Sequence, residues 1–178
     1  METWEQMLAE LARVRGAALK RHAFLLCGDD AQAEDVLQEA LARAFTRPPR
    51  VPRSGGAEAY VRTIMLNLFI DGTRRQSRWN RVAPLLRPAE AAPDPADQVS
   101  ARDAMLTALR GLSPRQRACL VLRYYEDMPV AEVAAALRVS EGAVKRYLSE
   151  ATTSMALRLA SIESAEREGA ERDADRRA

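Results

Sequence analysis

The chain is short of the residues from which most active sites are built. His22 is its single histidine, and its two cysteines, Cys27 and Cys119, stand far apart with no CxxC spacing. That scarcity encourages neither a zinc site nor a disulfide framework, and it fits a reducing compartment. A glycine-rich phosphate loop is missing, as is any metal-ligand spacing, so an enzyme is the least expected class and no cofactor or metal is expected. No apolar run approaches the roughly 20 residues that cross a bilayer. The opening "METWEQML" is acidic where a signal peptide is basic. A soluble, cytoplasmic protein is expected. Nor does one sign of charge dominate: 27 basic residues against 25 acidic ones leave a formal net charge of +2. Any contact with nucleic acid must therefore come from local patches rather than from a global field.

What is present is mostly Ala, Leu, Arg and Glu, with no β-branched runs and with apolar residues at helical spacing. The fold class is all-α. Prolines interrupt the pattern twice, in "RPPRVPRSGG" (Arg47 to Gly56) and in "LRPAEAAPDPADQ" (Leu86 to Gln98), because proline removes a helix donor and clashes with the preceding turn. Helices are predicted over 4–27, 31–46 and 57–79, then over 101–112, 114–125, 130–137 and 141–159. This predicts two small helical domains, 1–82 and 101–160, joined by a Pro-rich linker at 83–100. A charged tail at 161–178 has little to bury and is expected as disorder or a frayed helical extension. Cores of this size are thin, which predicts modest stability for each domain alone.

The stretch "VAEVAAALRVSEGAVKRYL" (Val130 to Leu148) carries two helical patterns either side of a short turn. Val133, Leu137, Val139, Val144 and Leu148 can share one core if the first helix ends near Arg138 and Ser140 caps the second. The result is a helix-turn-helix, whose second helix commonly lies in a major groove. With Val144 and Leu148 inward, Gly142, Arg146 and Ser149 face outward with Lys145 at the flank, offering donors to phosphates and guanine edges. The same pattern also fits a plain helical hairpin with a solvated basic face. Upstream, "LSPRQRACLVLRYYEDMP" begins with Ser113 as cap and Pro114 in the first turn. Leu120, Val121 and Tyr124 are expected to continue the buried face, while Arg115, Arg117 and Arg123 face phosphates or a partner.

In the earlier half, Leu37, Leu41, Ala44 and Phe45 form an apolar stripe on the 31–46 helix, and Asp35, Gln38 and Glu39 share another side. Such a face suits a basic helical partner, and equally suits water. Between Gly72 and Pro88 lie five arginines, Trp79 and Asn80 and no acidic residue. That composition fits a groove tracking a nucleic-acid backbone, with a ring to stack on unpaired bases. Asp71 and Arg75 also have the spacing of a helical ion pair worth a few tenths of a kcal/mol.

Three blocks together resemble a known family. "LSPRQRACLVLRYYEDMPVAEVAAALRVSEGAVKRYLSEA" is similar to the -35-binding domain of bacterial RNA polymerase sigma factors of the sigma-70 family, and most of all to its short extracytoplasmic-function (ECF) branch. "DDAQAEDVLQEALARAF" (Asp29 to Phe45) resembles the family's acidic helix that docks on the polymerase clamp. "AYVRTIMLNLFIDGTRR" (Ala59 to Arg75) resembles its -10-reading helix, with the N-L-x-I-D-x-x-R-R pattern. The resemblance covers roughly 17–159 and implies a non-catalytic initiation factor whose partners are core RNA polymerase and promoter DNA, with an anti-sigma factor as a further partner.

The resemblance also implies the contacts. Asp35, Gln38 and Glu39 meet the clamp coiled coil. Arg62, Asn67, Arg74, Arg75, Arg78 and Trp79 lie on the -10 side, beside a base-capturing pocket around the loop Arg47 to Gly56. Gly142, Lys145, Arg146 and Ser149 read the -35 element. Departures from the family pattern are local. Tyr60 and Val61 stand where Trp is usual, Gly72 sits inside the predicted helix at a cost of up to about 1 kcal/mol, and Arg146-Tyr147 replaces the usual Ser-Arg. That last change moves a basic residue about 100° around the recognition helix. The residues by themselves leave two other classes open: a dimeric helix-turn-helix regulator that binds DNA alone, and a helical adaptor that binds protein only.

Overall fold

The computed structural model describes residues 3–49, 56–82 and 101–177; the Pro-rich linker and the core of the first Pro-rich loop lie outside them. The element order is α1 (Trp4–Cys27), α2 (Asp30–Thr46), α3 (Gly56–Val82), α4 (Ala101–Arg110), α5 (Pro114–Leu120), a π-helical turn (Val121–Tyr125), α6 (Val130–Leu137) and α7 (Glu141–Arg177). No strand occurs among the described residues, as the helical spacing predicts.

Local chemistry sets the boundaries. α1 starts in a reciprocal capping box: the Thr3 hydroxyl accepts from the Gln6 amide, and the Gln6 side chain accepts from the Thr3 amide. It stops at Gly28, whose left-handed backbone (φ 73°) turns its N–H back to the Phe24 carbonyl. Asp29 then caps α2 through the Gln32 amide at 2.8 Å. Ser113 and Gln116 form a second capping box with Pro114 in the first turn of α5, and Ser140 caps α7 through the Ala143 amide at 3.2 Å. α3 runs on through Gly72 to Val82 rather than ending there. α7 continues through the charged tail to Arg177. Ala, Glu and Arg are strong helix formers, so propensity carries the backbone on where little can be buried.

The first three helices enclose Leu8, Leu11, Leu19, Ala23, Leu37, Val61 and Met65, with Ala33, Ala40 and Ala44 letting α2 approach closely. The Trp4 indole donates to the Ala44 carbonyl at 2.9 Å and meets the Tyr60 ring edge-on. Tyr60 donates in turn to the Arg47 carbonyl at 2.6 Å. Phe45, expected in the buried stripe, is 42% exposed, while Ala40 is fully buried with Leu37 and Ala44.

A second core joins the two halves. Leu26 from α1 and Leu66 and Phe69 from α3 pack with Cys119, Val121, Leu122, Val133 and Val144. Tyr124, expected to extend this buried face, is 65% exposed. The π-helical turn spreads its residues over a wider ring, which moves Leu122 inward and turns Tyr124 out. A third, smaller group of Leu109, Leu112 and Ala151 seats α4 on α7.

Candidate nucleic-acid and polymerase interfaces

On α2, Asp35, Gln38 and Glu39 are all exposed. Asp35, Val36, Glu39 and Arg43 line a shallow groove whose other wall is Leu68, Asp71 and Gly72 of α3. Glu39 pairs with Arg43 one turn on at 2.6 Å, and Gln38 donates to Glu34 at 3.0 Å. Glu34 also pairs with Lys20 of α1 at 2.8 Å. Hydrogen bonds from Lys20 and Gln38 hold the Glu34 carboxyl below the usual range. The acidic side of α2 is thus an ordered, water-facing surface beside an apolar strip, which can accept a basic helix.

On α3, Asn67 is exposed and lines a cleft with Ile70 and Asp71. The opposite wall comes from the later helices, through Arg115, Leu137 and Arg138. Arg62 lies on the same helix, half-buried. Its guanidinium pairs with Glu58 one turn earlier at 2.7 Å and with Glu126, which follows the π-helical turn. Arg74, Arg75, Arg78 and Trp79 belong to the last turns of α3, and their side chains lie outside the described residues, as does most of the loop expected to build a base pocket.

The helix-turn-helix is formed by α6 and α7. α6 ends where Arg138 takes a left-handed backbone (φ 53°), and the Val139 amide returns to the Ala134 carbonyl at 3.0 Å. Val133 and Val144 are fully buried between the two helices. Gly142, Lys145, Arg146 and Ser149 are exposed along the outer side of α7. Arg146 lies over the Tyr147 ring, 5.4 Å from its centroid, and reaches within 3.7 Å of Glu150. The ring and the carboxylate steer this guanidinium along the helix, where it can meet a phosphate or a base edge.

Two residues with central places, Glu126 and Arg117, gave no signal of them in the sequence. Glu126 is 7% exposed at its side chain and accepts from both His22 Nδ1, at 2.8 Å, and Arg62. Burial pushes its carboxyl up, but the hydrogen bonds and charges of His22 and Arg62 together hold it below the usual range. Arg117, expected at the surface, is buried. It donates to the carbonyls of Leu26, Cys27 and Arg110 at 2.9, 3.1 and 2.8 Å, satisfying acceptors that the ends of α1 and α4 leave open. A run of arginines looks alike in sequence whether each faces water or carbonyls. Cys27 and Cys119 have thiols pushed up to about 11, chiefly by burial, which favours the neutral form over the thiolate. No cluster of candidate metal ligands occurs among the described residues, and no described helix is long and apolar enough to cross a membrane.

Comparison with known proteins agrees with both halves. The Sigma-70 region 2 family model matches residues 11–78, and the Sigma-70 region 4 model matches residues 102–155. The chain is 36% identical over 142 residues to an RNA polymerase sigma-E factor of Streptomyces coelicolor, covering 80% of each protein. It is 35% identical over 148 residues to the ECF RNA polymerase sigma factor SigL of Mycobacterium tuberculosis, covering 80% of this chain and 83% of that one. Among solved structures, the sigma factor RpoE of Bartonella quintana in complex with the anti-sigma factor NepR is similar at a TM-score of 0.64 and 25% identity, over 85% of this chain and 94% of that chain. CnrH, solved with the cytosolic domain of CnrY, shares the fold at a TM-score of 0.60 and 22% identity, over 88% of this chain and 90% of that chain.

Proposed function

The chain belongs to the sigma-70 family of RNA polymerase sigma factors, in its extracytoplasmic-function branch, and we propose from that premise which of its surfaces makes each contact. As a sigma factor it binds core RNA polymerase and directs promoter recognition and transcription initiation. The observation that carries this is the presence, in one chain and in this order, of a region 2 match and a region 4 match. A stand-alone dimeric regulator or a protein-only adaptor needs only one of the two.

The polymerase contact is assigned to Asp35, Gln38 and Glu39, supported by their common exposed side on α2. The -10 element is assigned to Arg62, Asn67, Arg74, Arg75, Arg78 and Trp79 along α3, and the -35 element to Gly142, Lys145, Arg146 and Ser149. The last four share the outer side of α7, as a major-groove helix requires. The corresponding domains are 1–82 and 101–160, with 83–100 as the linker and 161–178 as a tail. Catalysis belongs to the polymerase; this chain contributes binding. Its setting is the cytoplasm, where its polymerase is. An anti-sigma factor is a further partner, supported by the solved RpoE–NepR complex of a similar protein.

The experiment is run-off transcription from a pool of genomic promoters with sigma-free core polymerase, with and without this protein. Discrete new start sites that require the protein are expected. Their absence, with specific DNA binding by the protein alone, would replace this reading by the dimeric regulator. In the same assay Asp35→Lys with Glu39→Lys is expected to lose at least tenfold in core affinity, since both residues are exposed and reversal adds repulsion from a basic partner. Unchanged affinity overturns the α2 assignment and leaves the family intact.

A further inference from the structure

Arg146 stands on the outer side of α7, and a side chain from another helix reaches it through one carboxylate. Gln116, the third residue of α5, is tied at both ends of its amide. Its Oε1 accepts from the Ser113 amide at 3.0 Å, as half of the capping box, and its Nε2 donates to Oε2 of Glu150 at 3.0 Å. The other oxygen of Glu150 lies 3.7 Å from Nε of Arg146, one turn earlier on α7. Ala118 and Cys119 of α5 are buried in one cluster with Val144 of α7, which keeps the two helices close enough for this bridge.

The bridge decides between two directions for one guanidinium. A long side chain on a helix leans toward that helix's N-terminus, which for Arg146 is the side of Gly142. That side is open, since a Cβ on Gly142 would meet nothing nearer than Ser140 Oγ at 3.9 Å. Glu150 draws the group the opposite way. From Gly142 to Glu150 is about 12 Å along α7 at about 1.5 Å per residue, which exceeds three base-pair steps of about 3.4 Å. Direction therefore selects the base pair. An arginine one turn before a glutamate is the weaker order for a helical pair, and both side chains are half-exposed or more, so the pair alone holds the guanidinium loosely. Two further contacts supply what it lacks. Gln116 fixes the carboxylate from outside α7, and the Tyr147 ring lies 5.4 Å from the guanidinium carbon. The ion pair engages Nε and leaves the two Nη groups for the edge of a guanine.

We propose that Glu150, held by Gln116, sets which base pair of the -35 element Arg146 reads. Both are positioning residues. Neither has to touch DNA; they hold the guanidinium toward the C-terminal side of α7 before DNA arrives. Such preorganisation lowers the ordering cost of the contact with one base pair and leaves that cost in place for its neighbours, which is specificity. The inference rests on the assignment of α7 to the -35 element.

The test is initiation by core polymerase with the full-length chain on a promoter pool randomised in the -35 element, read as base preference at each position, with a thermal melt of every variant. Arg146→Ala locates the base pair that Arg146 reads. There Glu150→Ala and Gln116→Met are each expected to lower the preference by about three- to tenfold. Gln116→Met changes no charge, so its effect is separate from a general gain in attraction to phosphates. Added to Arg146→Ala, Glu150→Ala is expected to change no position further. Ser113→Ala is the control for folding, because it removes the hydroxyl half of the capping box and keeps the amide that Gln116 accepts from. It is expected to lower the melting temperature and leave the base preference as it was. Unchanged preference in Glu150→Ala and Gln116→Met overturns the proposal. So does a Ser113→Ala chain whose preference moves as far as that of Gln116→Met, since the effect is then α5 stability, and so does a further change when Glu150→Ala is added to Arg146→Ala, since Glu150 then meets DNA itself. If Arg146→Ala leaves every position unmoved, the -35 assignment of Arg146 fails and takes the proposal with it, which is distinct from failure of the positioning pair alone.

Discussion

Glu126 and His22 meet at 2.8 Å although 104 residues separate them. The carboxylate belongs to the turn after the π-helical segment and the imidazole to the last third of α1, so the pair joins the two halves of the molecule directly. Arg62 completes the cluster from α3.

That cluster makes the packing of the two halves sensitive to acid. The Glu126 carboxyl is held below its ordinary value of 4.5 in the folded protein, so the folded state favours its ionised form. Its contribution is full above about pH 4.5 and fades as pH falls through the lower folded value, because the unfolded chain takes up the proton first. Thermal melts across pH 3 to 6 are expected to show stability falling toward acid, and Glu126→Gln is expected to flatten part of that fall. An identical pH profile in the variant contradicts the assignment.

Arg117 is a structural residue in spite of its charge. Arg117→Met keeps much of the apolar stem but leaves the carbonyls of Leu26, Cys27 and Arg110 without their donor. An expected loss of about 2–4 kcal/mol follows from unsatisfied buried acceptors, read as a lower urea midpoint. Arg115→Met, at a partly exposed neighbour, is expected to change the midpoint little.

Gly28 has two reasons to be glycine. Its φ of 73° is left-handed, and a Cβ there would stand 2.8 Å from Cγ of Arg110. Gly28→Ala is expected to cost about 1–2 kcal/mol in backbone strain and to displace Arg110 from the Gly28 carbonyl. At roughly 2–4 °C per kcal/mol for a chain of this size, the melting temperature should fall by about 2–8 °C. Gly16→Ala has open space around the new Cβ and sits within α1, where Ala is the better helix former; it is expected to stabilise.

Arg146 and Lys145 should separate in their effects on the -35 element. If Arg146 reads a base edge, Arg146→Ala costs about 1–3 kcal/mol and relaxes the preference at one base pair. Lys145 at the flank is expected to act as a phosphate contact, so Lys145→Ala weakens all promoters alike and lowers the salt dependence by about one charge. Initiation on a randomised -35 element, measured at two salt concentrations, tells these apart. Tyr147→Leu removes the ring beneath Arg146 and should blur the Arg146 preference without abolishing binding.

Much of this architecture is written in local pattern. Helical spacing and the caps at Ser113 and Ser140 depend on residues within four positions of one another, and each is found as expected; the Asp29 cap of α2 obeys the same short-range rule. The turn between α6 and α7 and the outward side of the second helix follow from the same short-range rules. Phe45 and Tyr124 went the other way because a helix's phase depends on its neighbours: Ala40 is buried where Phe45 is exposed, and a π-helical turn shifted the ring after Leu120. Hydropathy alone does not register either effect.

Which helices form, where they start and which face of the last one carries the basic residues were determined by the sequence by itself, since propensity, capping and periodicity act over a few residues. The joining of the halves was decided only by the tertiary structure. Nothing near Glu126 announces His22 or Arg62, and nothing near Arg117 announces the open carbonyls at the end of α1. A buried charge is tolerated only where distant groups arrive to compensate it, and that arrival is a property of the folded chain in space.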